Sequence, residues 1–402
     1  MRDNDHLQRM GMRMSRGTWR NFQWDFSATM LFSLFNVIFN QFYIPMAIHH
    51  GATSLAVGLL SAAPAIGLLF SPLWANWIER TRPKPFMLYP NLIGRLLIVL
   101  PALWTSSWVF VGVALAFQLL MGIQAPAYAS LVTRMYPPDL RGRLMGNVRV
   151  AMGFLMVPLS YVCGRWIDHA GSTGPLTAAS LAGVLSILAF NGVQEIEPLA
   201  GAPRKPSLLD QFSILKGNKP LVVFLAATTF SGFGNMLGNP LYQIVQVQQL
   251  ALSNVEIGYI RMVYFVFLMV AYWLMGWMID RYSPKHAMYF AFSGFLLVPL
   301  LYGLFDSYPM LLAAGGLQGF ADAAWDIGCM AYVFRIAPGR EASVFGLHLM
   351  LFGIRGTIGP LLSTSLSHSL PVSALFLSAA ACSVVALLLF IWEKPAAQPK
   401  PL

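Results

Sequence analysis

The chain has 402 residues, 57% of them apolar and 10% charged, with a formal net charge of +10. A soluble domain carries about 25% charged residues. A water-facing globular enzyme is therefore excluded, and a polytopic membrane protein with little mass outside the bilayer remains. The basic residues are spread through short stretches between apolar runs, which fits orientation in a bilayer and speaks against a nucleic-acid partner.

Arg2, Arg9, Arg13, Arg16 and Arg20 precede the first apolar run. That run is too long for the core of a cleaved signal, and Asn36, Asn40 and Gln41 interrupt it. It reads as a retained first span behind a basic tail. A helix crossing about 30 Å of hydrocarbon needs about 20 mostly apolar residues. Such runs lie at 26–48, 54–78, 86–105, 108–133, 144–166 and 174–193, then at 220–247, 255–279, 286–305, 308–333, 344–367 and 372–392. The expected fold class is an all-α membrane protein of about twelve transmembrane helices in two pseudo-symmetric six-helix bundles. Runs of this length without period-two alternation exclude a β-barrel. The bundles are residues 1–193 and 220–402. Between them, 194–219 reads as a linker broken by Pro198, Pro203 and Pro206, with 207–215 a short amphipathic helix on the membrane surface. Most Lys and Arg fall in the tails and in alternate loops, which puts both termini in the cytoplasm. Cys163, Cys329 and Cys382 lie inside apolar runs and read as small buried hydrophobes.

The two halves repeat. Gly276-Trp-Met-Ile-Asp280-Arg281-Tyr-Ser-Pro284-Lys285 answers Ala75-Asn-Trp-Ile-Glu79-Arg80-Thr-Arg-Pro83-Lys84. Gly58 pairs with Gly258, Pro138-x7-Gly146 with Pro338-x7-Gly346, Gly153 with Gly353, and Asn40-x4-Pro45 with Asn235-x4-Pro240. A duplicated bundle has a natural cleft between its halves, and rocking them is the architecture of a carrier.

With these motifs the chain resembles the major facilitator superfamily, as a bacterial member of unassigned subfamily. The family signature after spans two and eight reads Gly-x-x-x-Asp-Arg-x-Gly-Arg-Arg. The second copy keeps Gly276, Asp280 and Arg281 and has Ser283 at the later Gly position. The first has Ala75, Glu79, Arg80 and, at the later position, Arg82. The resemblance implies a cytoplasmic gate of Glu79, Arg80, Gly276, Asp280 and Arg281, its acids meeting positive groups and a helix start on the opposite half. It also implies that spans one, four, seven and ten line a cavity. The drug-antiporter pattern of span five is poorly met, with Val157-Pro158 after Gly153 and Tyr161-Val162 where paired glycines belong.

Polar residues in the cavity spans are the candidate substrate ligands: Asn36 and Asn40, Gln118 and Gln124, Asn235 and Asn239, Gln318, and the neighbouring Trp325. Neutral amides in hydrocarbon need protein or water to face. Charge inside a span is the sharper signal. Asp322 and Asp326 lie four residues apart on span ten, on one helical face with Gln318. Arg355 lies near the middle of span eleven and is the expected partner of Asp322, because consecutive helices usually touch. Asp322, Asp326 and Arg355 are the candidate proton-coupling set. Arg261 is expected to snorkel at the outer end of span eight, Arg149 at the cytoplasmic side, and Arg95 has no evident partner.

The expected function is secondary active transport of a small organic solute across the cytoplasmic (inner) membrane by alternating access, coupled to protons, by a monomer. Export is favoured. A proton-coupled importer or a uniporter is the alternative, and a non-transporting solute sensor is a further one. No enzymatic activity, cofactor or nucleic acid is expected. The histidine pair His49-His50, His169 and His368 lack chelating spacing, so no metal is expected either.

Overall fold

The computed structural model describes residues 6–71, 74, 78, 82–195, 215–337 and 341–393. Two strands, β1 (His6–Arg9) and β2 (Met12–Ser15), open the chain. Twelve helices follow: α1 (Arg16–His49), α2 (Ser54–Leu69), α3 (Pro83–Leu103), α4 (Ser107–Met135), α5 (Pro138–Ala170) and α6 (Thr173–Phe190), then α7 (Lys219–Gln249), α8 (Asn254–Arg281), α9 (Pro284–Leu304), α10 (Tyr308–Ile336), α11 (Glu341–Leu366) and α12 (Val372–Trp392). Ten of them contain stretches long and apolar enough to cross a membrane. The others are α2, described over 16 residues, and α10, which carries Asp322 and Asp326. Residues 207–214 of the expected surface helix, and Glu79 and Arg80, lie outside the described residues.

The stretch read from sequence as a basic tail is a β-hairpin. Leu7 pairs with Met14 and Arg9 with Met12. Met10 (φ +53°) and Gly11 (φ +70°) supply the two positive-φ residues that a tight two-residue hairpin needs. Met12 and Met14 are buried in a cluster with Met135, Tyr136 and Val193, while Arg13 points outward. This is the period-two pattern of a strand. Ser15 ends the hairpin and caps α1, its Oγ accepting from Thr18 N at 3.1 Å.

The chain forms two compact units. One is Met1–Ala56, Ile66–Pro203 and Ser253–Gly258; the other is Val57–Ala65, Arg204–Leu252 and Tyr259–Leu402. In the first, α1 packs along α6, and α3 lies against α4 and α6. In the second, α7 packs along α12 and α11, and α9 along α10 and α12. Each unit takes a short piece of helix from the other half of the sequence, and the repeated glycines mark those pieces. A Cβ on Gly258 would sit 2.7 Å from Ser160 O of α5, and one on Gly58 would strike Thr364 of α11. Beside Gly258, Asp168 at the end of α5 caps α8. Its carboxylate accepts from Asn254 N (2.9 Å), Asn254 Nδ2 (2.7 Å) and Val255 N (2.9 Å), the charge favoured at a helix start.

The repeated Pro-Lys pairs have a matching role. Lys84, at the start of α3, donates from Nζ to Asn191 O (2.7 Å) and Val193 O (2.9 Å), just beyond α6. Lys285, at the start of α9, donates to Glu393 O at 2.6 Å and lies 3.2 Å from the Glu393 carboxylate, just beyond α12. Each lysine satisfies carbonyls at the end of the last helix of its half. Glu393 is buried and also accepts from Tyr332 Oη. Removing one partner of a buried ion pair costs about 3–5 kcal/mol, whereas losing a charged donor to carbonyls costs about 1.5–3 kcal/mol. Lys285→Met is therefore expected to destabilise the protein more than Lys84→Met, as measured by thermal unfolding in detergent.

Candidate functional site

Each unit has a partly open cavity. In the first unit it has a volume of about 440 Å³, and Asn40, Gln118 and Gln124 line it as the sequence suggests. The wall is aromatic. Phe39 and Phe117 have ring centroids 4.6 Å apart, and Phe35 packs on both at 5.5 Å. Three charged residues also line this cavity, Asp25, Arg95 and Arg149. Asp25 is buried and accepts from Tyr136 Oη at 2.9 Å. Arg95 is buried, and its Nη1 donates to Gly183 O (2.8 Å) and Ser186 Oγ (2.6 Å) of α6.

The cavity of the second unit has a volume of about 290 Å³ and is lined by Asn235, Asn239, Gln318 and Asp322, all expected from sequence. Tyr242, Gln243, Gln246, Arg261, Tyr264 and Tyr302 complete it. Asp322 accepts from Tyr264 Oη (2.9 Å) of α8 and Gln318 Nε2 (3.0 Å) of its own helix. The approach of α8 to α10 that permits this depends on Gly319, where a Cβ would strike Tyr264 O.

The expected pair of Asp322 with Arg355 is not formed. Arg355 turns instead to α7, donating from Nη1 to Thr228 O at 2.7 Å, and its cation lies 5.5 Å from the Trp325 ring centroid and 5.8 Å from that of Phe352. Gly232 makes the room, since a Cβ there would lie 2.5 Å from Arg355 Cζ. The physical reason is that the face of α10 that carries Asp322 meets α8 at Tyr264, whereas Arg355 faces α7. Trp325 packs against Phe292, Phe295 and His348 and lines neither cavity. Asp326 is exposed and accepts from Tyr272 Oη at 2.8 Å. Asn36 is half-buried on α1 and also lines neither cavity. Gly276, Asp280 and Arg281 lie in the last turns of α8, with Asp280 and Arg281 exposed.

Several charged or hydroxyl residues of the cavities escape a sequence reading, among them Asp25, Arg95, Arg261 and Tyr264. Asp25 falls one residue before the run that begins at 26, yet α1 starts at Arg16 and carries it inside. Arg95 sits on a span read as peripheral, and only its facing Gly183 signals that it turns inward. Arg261 and Tyr264 point from α8 into the cavity, where snorkelling of Arg261 toward the membrane surface is the simpler expectation.

The family model described as the Major Facilitator Superfamily matches residues 26–236 and 224–402. The chain belongs to this superfamily. Among solved structures it is similar to a mutant form of the nucleoside transporter NupG, with TM-score 0.73 and 16% identity over 92% of this chain and 98% of that one. It is similar to the POT family transporter PepTSo, with TM-score 0.70 and 11% identity over 92% and 97%. A bacterial homologue of the human lysosomal transporter Spinster, in an inward-facing and unoccupied conformation, gives TM-score 0.67 and 12% identity over 94% and 95%. At these identities the likeness establishes the fold. No curated protein matches the sequence. The superfamily member is a multi-pass membrane protein and a secondary transporter rather than an enzyme.

Thermal unfolding in detergent checks the partners of Asp322. Contacting residues couple by about 0.5–3 kcal/mol in a double-mutant cycle, and separate ones add within about 0.3–0.5 kcal/mol. Asp322→Asn with Tyr264→Phe is expected to couple, and Asp322→Asn with Arg355→Gln to add.

Proposed function

We propose that this superfamily member carries a small organic solute across the cytoplasmic membrane by alternating access, with both termini in the cytoplasm, and that Asp322 couples solute movement to protons. The supporting observation is the setting of Asp322. It lies in a cavity with amides, tyrosines and Arg261, and it accepts hydrogen bonds from Tyr264 and Gln318. Moving a carboxyl group between water and an enclosed cleft changes its proton affinity. An ionisable group within a span serves as a functional site by default. Of the two acids on α10, Asp326 is exposed and held by Tyr272, so the coupling role falls to Asp322. In this reading Glu79, Arg80, Gly276, Asp280 and Arg281 form the cytoplasmic gate, the monomer is the working unit, and export is the favoured direction.

Solutes that stabilise the purified protein against heat supply the cargo for flux assays. Nucleosides, the cargo named for one fold relative, belong in the first panel. In proteoliposomes an imposed pH gradient is expected to drive accumulation by the wild type. Asp322→Asn is expected to lose accumulation while retaining exchange across equal concentrations. Accumulation by Asp322→Asn at the wild-type level rejects the coupling assignment.

A further inference from the structure

We infer that the cavity of the first unit is an anion subsite in which Arg95 binds the carboxylate of a monocarboxylic acid with an apolar or aromatic body. This deepens the carrier reading by naming the class of its cargo, and it rests on that reading only for transport, not for binding.

Arg95 is 94% buried, being 6% exposed, and it lines the cavity. Its partners are a backbone carbonyl and a serine hydroxyl, both on Nη1. Nε has no partner. The cation lies 4.7 Å from the Phe32 ring centroid and 5.5 Å from that of Phe35. Rings and a carbonyl ease the burial of a charge but do not neutralise it. The packing is built for this cation, since a Cβ on Gly183 would come within 2.9 Å of Arg95 Cδ. Beside open space, such a guanidinium can take a guest carboxylate, because the matched pair is the strong form of this hydrogen bond.

The buried cation Arg95 calls for one carboxylate on the guest, whereas Arg149 on the same wall is exposed. Asp25 does not serve as the counter-ion, since it accepts from Tyr136 and makes no ion pair with Arg95. The aromatic wall of Phe35, Phe39 and Phe117 fits an apolar body beside the carboxylate. The volume of about 440 Å³ is enough to hold a small acid.

The test uses the full chain in detergent with benzoate, phenylacetate and cinnamate, each against its primary amide, and with phenyl phosphate. The amides match the acids in shape and lack the charge. The acids are expected to raise the unfolding temperature more than their amides. Arg95→Gln is expected to weaken acid binding by about tenfold or more, the scale of a lost charge-assisted bond, and to erase the preference. Ser186→Asp places a carboxylate beside Arg95 and keeps the buried charge satisfied, so it answers the question even if Arg95→Gln does not fold. It is expected to remain folded and to bind the acids no better than the amides. The proposal is overturned if no acid stabilises the wild type, if acids and amides act alike, if phenyl phosphate is preferred, or if Ser186→Asp keeps the preference. Vesicle flux separates the two readings. Acid that binds but does not cross leaves the subsite and removes the acids as cargo. Transport of a neutral solute without acid binding leaves the carrier assignment and removes the subsite.

Discussion

Hydrocarbon offers no partner to a polar group, so a charge, amide or helix end inside this protein must turn to another part of the chain or to a cavity. That requirement organises both halves. The ends of α6 and α12 receive a lysine from across their unit, the start of α8 receives a carboxylate from α5, and Asp322 receives a tyrosine and an amide. The same rule explains the glycines. Helices that exchange hydrogen bonds must come close, and small residues at the crossing let the backbones approach. Gly319 brings α8 near enough for Tyr264 to reach Asp322, and Gly183 and Gly232 open the spaces that Arg95 and Arg355 occupy.

The two deep arginines share a design. Each guanidinium donates to a helix carbonyl, lies near aromatic rings, and stands opposite a glycine of a neighbouring helix. They differ in outlook. Arg95 borders the cavity of its unit, whereas Arg355 does not line the cavity that contains Asp322. One cation is thus placed beside space that a guest can fill, while the other joins α11 to α7.

Hydropathy and length made the helices legible, because a span in hydrocarbon has a fixed length and a fixed chemistry. The repeat made Gly58 and Gly258 legible as a pair, though their meaning as crossing points needed three dimensions. The amides at Asn40, Gln118, Gln124, Asn235, Asn239 and Gln318 were readable because four named spans were expected to face inward. What failed was neighbourhood. Pairing Asp322 with Arg355 assumed that successive helices turn their polar faces to one another, and Asp322 faces α8 instead. Asp25 was hidden by a boundary, since polar residues at the start of α1 hide how early the helix begins. The hairpin was hidden by its brevity: Met12 and Met14 show one period of alternation, too little to set against a run of arginines.

Both α1 and α7 contain a π-helical turn, at Ile38–Phe42 and Val245–Gln249. In α1 the following Pro45 has no N–H to offer Gln41 O, so the wider turn falls where the regular ladder is already broken. Such a turn holds one residue more than the α-helix it interrupts. Successive residues of an α-helix are separated by about 100° around its axis, so the surplus residue swings everything beyond it by that angle. In α1, which runs on to His49, the side chains past the wide turn therefore face another direction than an uninterrupted helix would give them.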